Sequence, residues 1–237
     1  MRTIQVIIIA IALCITGTLS AQHTARNLPQ FDYKPYHFGF LLSINTSDFN
    51  FRYAETSNFN DSLLGISNRK QQGFNLALLA SLDLTKNFHI RFIPGLSFQD
   101  RGLNYTFRVS DGTSETFLKR TESVYLDLPI LFKLRTNRVN NFAAYALIGG
   151  KYSRDMQSQK DVDNALANDI IIKLEDTDFS IDAGGGIDFF LPYFKFSIEM
   201  KTAFGIPNIL IQENSKFSSP LESLRTRTFV FSLCFEG

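Results

Sequence analysis

The chain has 237 residues, with 24 Lys plus Arg against 23 Asp plus Glu, a formal net charge of +1, and 44% hydrophobic residues that include 24 Phe and no Trp. A near-neutral, Phe-rich composition excludes a disordered segment and an electrostatic nucleic-acid binder. Mean hydropathy is close to zero, and after the N-terminus no apolar run approaches the roughly 20 residues of a membrane-spanning helix.

Residues 1–21 read as a secretory signal peptide. Arg2 gives a positive start, VIIIAIALCI from Val6 to Ile15 forms the apolar region, and Leu19-Ser20-Ala21 offers a small-residue cleavage site before Gln22. The alternative is a retained anchor helix, for which the apolar core is short. Cys14 lies within that core behind the bulky Leu13, which does not suit lipoprotein processing. Removal of the signal leaves Cys234 alone, so the mature chain forms no internal disulfide and is held by its fold. Residues 22–36, polar and containing Pro29 and Pro35, read as an extended periplasmic lead-in.

From residue 37 to 237 the chain alternates apolar and polar side chains with period two, the pattern of strands with one apolar face. The first strand carries Phe38, Phe40, Leu42 and Ile44 on one face, and a long polar loop is expected from about 50 to 72. The second strand, 74–84, turns at Thr85-Lys86-Asn87 into a third with Phe88, Ile90, Phe92, Leu96 and Phe98 on its apolar face. Pro94 removes a ladder donor there and predicts a bulge or irregularity. A second long connection spans 100–122, in which 103–109 extend the hairpin beyond the membrane. The fourth strand is 124–135, TNRVNN (136–141) is a short connection, and the fifth begins at Phe142. The third long loop, about 154–178, is compatible with either a short helix or an extra strand pair.

The pattern is plainest in residues 179–204, which read as a hairpin turning at 190–193. Pairing Phe189 with Phe194 places Ile187 opposite Phe196 and Ala183 opposite Met200. On the other face it aligns Asp188 with Lys195 and Asp182 with Lys201. A fourth long loop, 205–223, precedes a last strand with Phe229, Phe231, Leu233 and Phe235 on one face.

About eight strands with alternating long and short connections predict an all-β fold. It is a closed antiparallel transmembrane β-barrel with short periplasmic turns, long extracellular loops and both termini periplasmic. A soluble eight-stranded barrel shares the period but turns its apolar face inward. Small residues mixed with opposite charges on the polar face favour the lipid-facing arrangement. So does the final strand, whose alternating aromatics end at Phe235, similar to the signal read by outer-membrane insertion machinery. The expected location is therefore the cell outer membrane.

HFGFLLSINTSDF (37–49), YLDLPILFKLR (125–135), YALIGGKYS (145–153), DAGGGIDFFL (182–191) and IEMKTAFGIPNIL (198–210) resemble the PorT-like outer-membrane β-barrel proteins of Bacteroidetes, and the opening NLPQFDYKPYHFGF resembles PorT/SprT. The resemblance covers nearly the whole mature chain. It implies a component of the type IX secretion system, which exports proteins with C-terminal sorting domains and in some species supports gliding motility. The alternative is a surface-binding or envelope-stabilising barrel with no secretion role.

No catalytic, cofactor or metal site emerges. The mature chain has His23, His37 and His89. His89 with Ser97 or Asp100 is the one combination to weigh as a hydrolase, and no motif surrounds any Ser. Gly184-Gly185-Gly186 lacks the Lys-Ser/Thr and the helix of a phosphate loop, and neither CxxC nor HxxxH occurs. Arg91, Asp127, Lys133, Asp182, Asp188, Lys195, Glu199 and Lys201 are expected to form a neutralising charge network inside the barrel. A conducting path is the competing reading of these residues, but eight strands leave room only for side chains. Expected partners are outer-membrane lipid and other secretion-system proteins, with no nucleic acid and no small-molecule substrate evident.

Overall fold

A computed structural model describes residues 26–54, 62–109, 111–158, 160, 172–213 and 215–237. The expected signal peptide, the lead-in before Arg26 and the middle of the third loop lie outside the described residues. Nine strands run in chain order: β1 (Tyr36–Tyr53), β2 (Leu63–Asp83), β3 (Phe88–Phe92), β4 (Gly95–Arg108), β5 (Ser114–Arg135), β6 (Phe142–Asp155), β7 (Thr177–Phe190), β8 (Lys195–Gly205) and β9 (Leu221–Glu236). All pairings are antiparallel, and β1 pairs with both β2 and β9. The sheet is thereby closed, leaving no edge whose backbone groups hydrocarbon would have to satisfy.

β3 and β4 are halves of one strand, since each lies between β2 and β5. The wall is therefore eight strands wide. The break falls at Ile93-Pro94, where the sequence predicts an irregularity. Its backbone groups remain engaged, with Ile93 N–H donating to Pro129 O (3.3 Å) and Leu78 N–H to Pro94 O (2.9 Å).

The faces are inverted relative to a water-soluble barrel. Ile44 (66%), Leu78 (67%), Leu134 (60%) and Ile148 (58%) are exposed on the outside, while Arg91, Lys133, Asp188 and Glu199 are buried within. An exposed apolar belt running around the whole wall is stable only in lipid. Aromatic pairs brace the belt across strands, Phe40 on Phe235 at 4.8 Å and Phe74 on Phe98 at 4.5 Å between ring centroids.

Several expectations are corrected. The hairpin of β7 and β8 is offset by two residues: Phe189 faces Phe196, Ile187 faces Ile198, Gly185 faces Met200, and Asp188 faces Ser197. A two-residue offset keeps every side chain on its face, so alternation does not distinguish the two registers. The burial of Phe190 at the periplasmic end favours the observed one, in which Phe190 pairs with Lys195 and the turn is 191–194.

The first two expected long loops are largely strand. β1 and β2 leave only 54–62 between them, and β4 and β5 join through the short turn 109–113. These segments rise beyond the lipid into water, where a strand no longer demands an apolar outer face, while Ile66, Leu103 and Tyr105 turn inward and are buried. At the turn, Thr113 donates to Asp111 through its hydroxyl (2.5 Å) and backbone N–H (2.9 Å), which holds that exposed carboxyl below its ordinary range. The described part of the lead-in, 26–35, contains a 3-10 turn, Phe31–Tyr33, whose Phe31 is buried against Phe190, where an extended segment is expected.

Candidate functional site: the filled barrel and its two ends

Inward-facing side chains fill the barrel in layers. Near the periplasmic end Arg91 bridges two carboxylates, Glu199 at 2.7 Å and Glu236 at 3.2 Å. Lys195 meets the other oxygen of Glu236 at 2.7 Å, and Lys133 meets Asp188 at 2.8 Å. The Tyr145 hydroxyl donates to Glu199 at 2.9 Å and its ring lies 3.6 Å from the Lys133 ammonium. Ser197 donates to Asp188 at 2.6 Å. Three cations thus face three carboxylates within hydrogen-bonding distance, which is how ionised groups tolerate burial.

An apolar layer of Leu41, Leu79, Ile93, Leu131, Leu147 and Cys234 follows. The interior is therefore not uniformly polar, in contrast to the reading that assigns apolar side chains to the lipid alone. Above it lies a second polar layer, with Lys151 to Asp127 at 3.4 Å, Lys201 to Asp182 at 3.7 Å, and Ser153 donating to Asp127 at 2.6 Å. A small cavity of about 30 Å3 beside these groups is space for a water or two.

All eight side chains expected in the interior network occur in these two layers. One of the two expected pairings changes: Asp188 takes Lys133 rather than Lys195, and Lys195 takes Glu236. The expected Asp182 and Lys201 meet as diagonal neighbours, because the register is offset. Glu236, Lys151 and Tyr145 complete the network without having been singled out. The parity of their strands already pointed them inward, so the signal was present.

Both ends are closed. At the periplasmic end Phe31 stacks on His37 (3.7 Å, 8°) and packs edge-on against Phe190 (5.8 Å), with the Lys195 ammonium 4.6 Å from its ring. Asp32 pairs with Arg135 at 2.9 Å, and Asn27 is bonded to Asn141, Phe190 O and Arg138. At the extracellular end, segments 172–176 and 206–213 pair through Leu174 and Leu210. They place Ile172, Leu174, Ile209 and Leu210, with Phe217 from the turn that follows, over Phe49, Ile66, Leu103, Tyr105 and Leu224 of the strands. The Tyr105 hydroxyl donates to Phe217 O at 2.8 Å and fixes this roof.

His89 lies 2.6 Å from Asp83, which also faces His37 at 3.4 Å. The Ser81 hydroxyl donates to the same Asp83 (3.3 Å), Ser97 donates to Asn75 (2.7 Å), and Asp100 pairs with Arg120. No seryl hydroxyl is bonded to either imidazole among the described residues. Nor is any set of three His, Cys, Asp or Glu placed to hold a metal ion among them.

Comparison with solved structures finds similarity to the outer membrane protein OprG from Pseudomonas aeruginosa, at 12% identity over 85% of this chain and 93% of that one, with a TM-score of 0.49. Ail, the attachment invasion locus protein of Yersinia pestis, solved in complex with the heparin analogue sucrose octasulfate, is similar at 12% identity over 86% of this chain and 100% of that one, with a TM-score of 0.37. Comparison with curated protein sequences gives no match. Residues 20–210 match the family described as outer membrane protein beta-barrel domain. A closed strand wall, a lipid-facing apolar belt and this match over most of the sequence have one reading: the chain belongs to the outer membrane protein beta-barrel domain family and crosses the outer membrane several times.

Proposed function

We propose that the protein is a non-enzymatic component of an outer-membrane assembly that acts through protein–protein contacts, and that the assembly is the type IX secretion machinery its PorT-like segments suggest. The observation that carries the contact role is the filled interior. Paired charges, an apolar layer and closures at both ends occupy the bore among the described residues, and the cavity beside Asp127, Lys151 and Asp182 amounts to about 30 Å3, far too little for a solute path.

What the molecule offers to partners lies outside the membrane. β2, β4 and β5 rise together past the lipid belt, joined by the 109–113 turn, and the roof is braced against them by Tyr105 and by the Lys119 ammonium 4.4 Å from the Phe217 ring. Loops held on a rigid scaffold are suited to recognition. The non-enzymatic reading is supported by the histidines, whose described carboxylate partner is shared between them and whose neighbouring Ser hydroxyl is turned to that carboxylate.

Deletion of the gene followed by measurement of export of cargo with C-terminal sorting domains tests the secretion role. Accumulation of such cargo inside the cell, with loss of gliding where the species glides, is the expected result. Normal export sinks the secretion role and leaves an envelope-stabilising or surface-binding barrel. The contact role is tested separately in planar bilayers, where a robust open channel from the purified protein refutes it.

A further inference from the structure

The periplasmic rim holds a second site, independent of the secretion role. Between the turns 84–87 and 136–141 and the N-terminal cap lies an open pocket of about 390 Å3. Four of its lining residues are cations, Arg26, Lys86, Arg135 and Arg138, and one is an acid, Asp32.

Asp32 is shared between two of the cations, Arg135 at 2.9 Å and Arg138 at 3.8 Å. The side chains of Arg26 and Lys86 have no ion pair among the described residues. Arg135 is 4% exposed, and its Nε and Nη1 have no hydrogen-bond partner while Nη2 serves Asp32 and Lys86 O. The pocket therefore carries an excess of positive charge that the fold itself does not neutralise.

Its depth relative to the membrane identifies the anion. Leu84, Phe88, Leu134, Val139 and Phe142 flank the two turns and are exposed on the outer wall, at the lower margin of the apolar belt. Side chains one step beyond that margin lie at the level of the inner-leaflet headgroups, where phosphate is the abundant anion. Tyr33, exposed at the pocket lip, suits the same interface. Guanidinium groups recognise phosphate by forked, charge-assisted hydrogen bonds, and lysine adds a point charge.

We propose that the pocket binds a phosphate group, with the headgroup of an inner-leaflet phospholipid as the source its position favours and a soluble phosphate compound as the other. Bound there, the phosphate bridges the N-terminal cap and two periplasmic turns and locks the closed periplasmic end.

The test uses the full mature chain in maltoside micelles, titrated calorimetrically with dihexanoyl phosphatidylglycerol, with dihexanoyl glycerol as the phosphate-free control and inorganic phosphate as competitor. Saturable binding of the phospholipid but not of the control is expected. The Arg26→Gln/Lys86→Gln variant, which removes no bond seen within the fold, should bind about tenfold or more weakly, given the contribution of each basic residue near a lipid surface. Lys86→Gln alone gives an intermediate loss and serves if the double variant folds poorly. Displacement by inorganic phosphate assigns the site to phosphate as such, and resistance to it assigns the site to the whole headgroup. Equal affinity in wild type and variants, or no binding of either phosphate probe, overturns the proposal.

Discussion

Lys133 and Asp188 meet inside the barrel at 2.8 Å, with the Tyr145 ring 3.6 Å from the ammonium and Ser197 donating to the carboxylate from the other side. The pair joins β5 to β7 across the intervening β6. Removing one member strands the other charge in a water-poor interior. Lys133→Met should therefore destabilise the barrel by about 3–5 kcal/mol, while Lys133→Met/Asp188→Leu recovers much of the loss because neither charge is then buried. Urea unfolding in lipid vesicles measures both, and a single variant no worse than the double would refute this account of the pair.

The register of the β7–β8 hairpin is open to chemical test. In a Cys234→Ala background, Ile187→Cys/Ile198→Cys should oxidise readily, since directly opposed residues have Cα atoms about 4.5–5.5 Å apart and a disulfide spans that distance. Ile187→Cys/Phe196→Cys, the pairing expected from alternation alone, should stay largely reduced because the diagonal separation is roughly 7–8 Å. Efficient cross-linking of the second pair and not the first would move the hairpin back by two residues.

That hairpin also shows what the sequence makes legible. Period-two alternation determines which way each side chain points, so the closed wall, the outward Phe residues and the inward Asp, Lys and Arg side chains could all be read. It is silent to an offset of two, so the partners of Asp188 and Lys195 could not. Strand ends were missed for a related reason: above the lipid both faces of β2, β4 and β5 meet water or the roof, and the alternation fades although the ladder continues. The periplasmic cap was missed because Phe31, Asp32 and Asn27 find their partners more than a hundred residues away in Phe190, Arg135 and Asn141.

Gly186 faces Tyr145 on one side and Glu199 on the other. A Cβ there would stand 2.6 Å from the Tyr145 hydroxyl and closer still to the Ile198 carbonyl, so only glycine lets the phenol lie across the strand to reach Glu199. Gly186→Ala should cost about 1–3 kcal/mol through forced displacement of backbone and ring. Gly150→Ala, at an outward position with nothing within 4 Å of the added atom, should leave stability nearly unchanged. Comparing the two unfolding midpoints checks the reading, and equal effects would contradict it.

The N-terminal cap should detach without unfolding the wall. Phe31 is 5% exposed between His37, Phe190 and the Lys195 ammonium, and its burial contributes about 2 kcal/mol. Asp32 adds ion pairs to Arg135 and Arg138 near the aqueous rim, where such contacts are worth roughly 1 kcal/mol or less. Phe31→Ala should thus accelerate hydrogen exchange at the amides of Phe31, Tyr33 and Lys34, which donate to Leu28, Gln30 and Phe31 carbonyls, and Asp32→Ala should do so more weakly. Exchange in β5 to β8 should not change, because those ladders bond strand to strand independently of the cap. A Phe31→Ala protein whose strands exchange as fast as its N-terminus would show instead that the cap is part of the barrel's cooperative core.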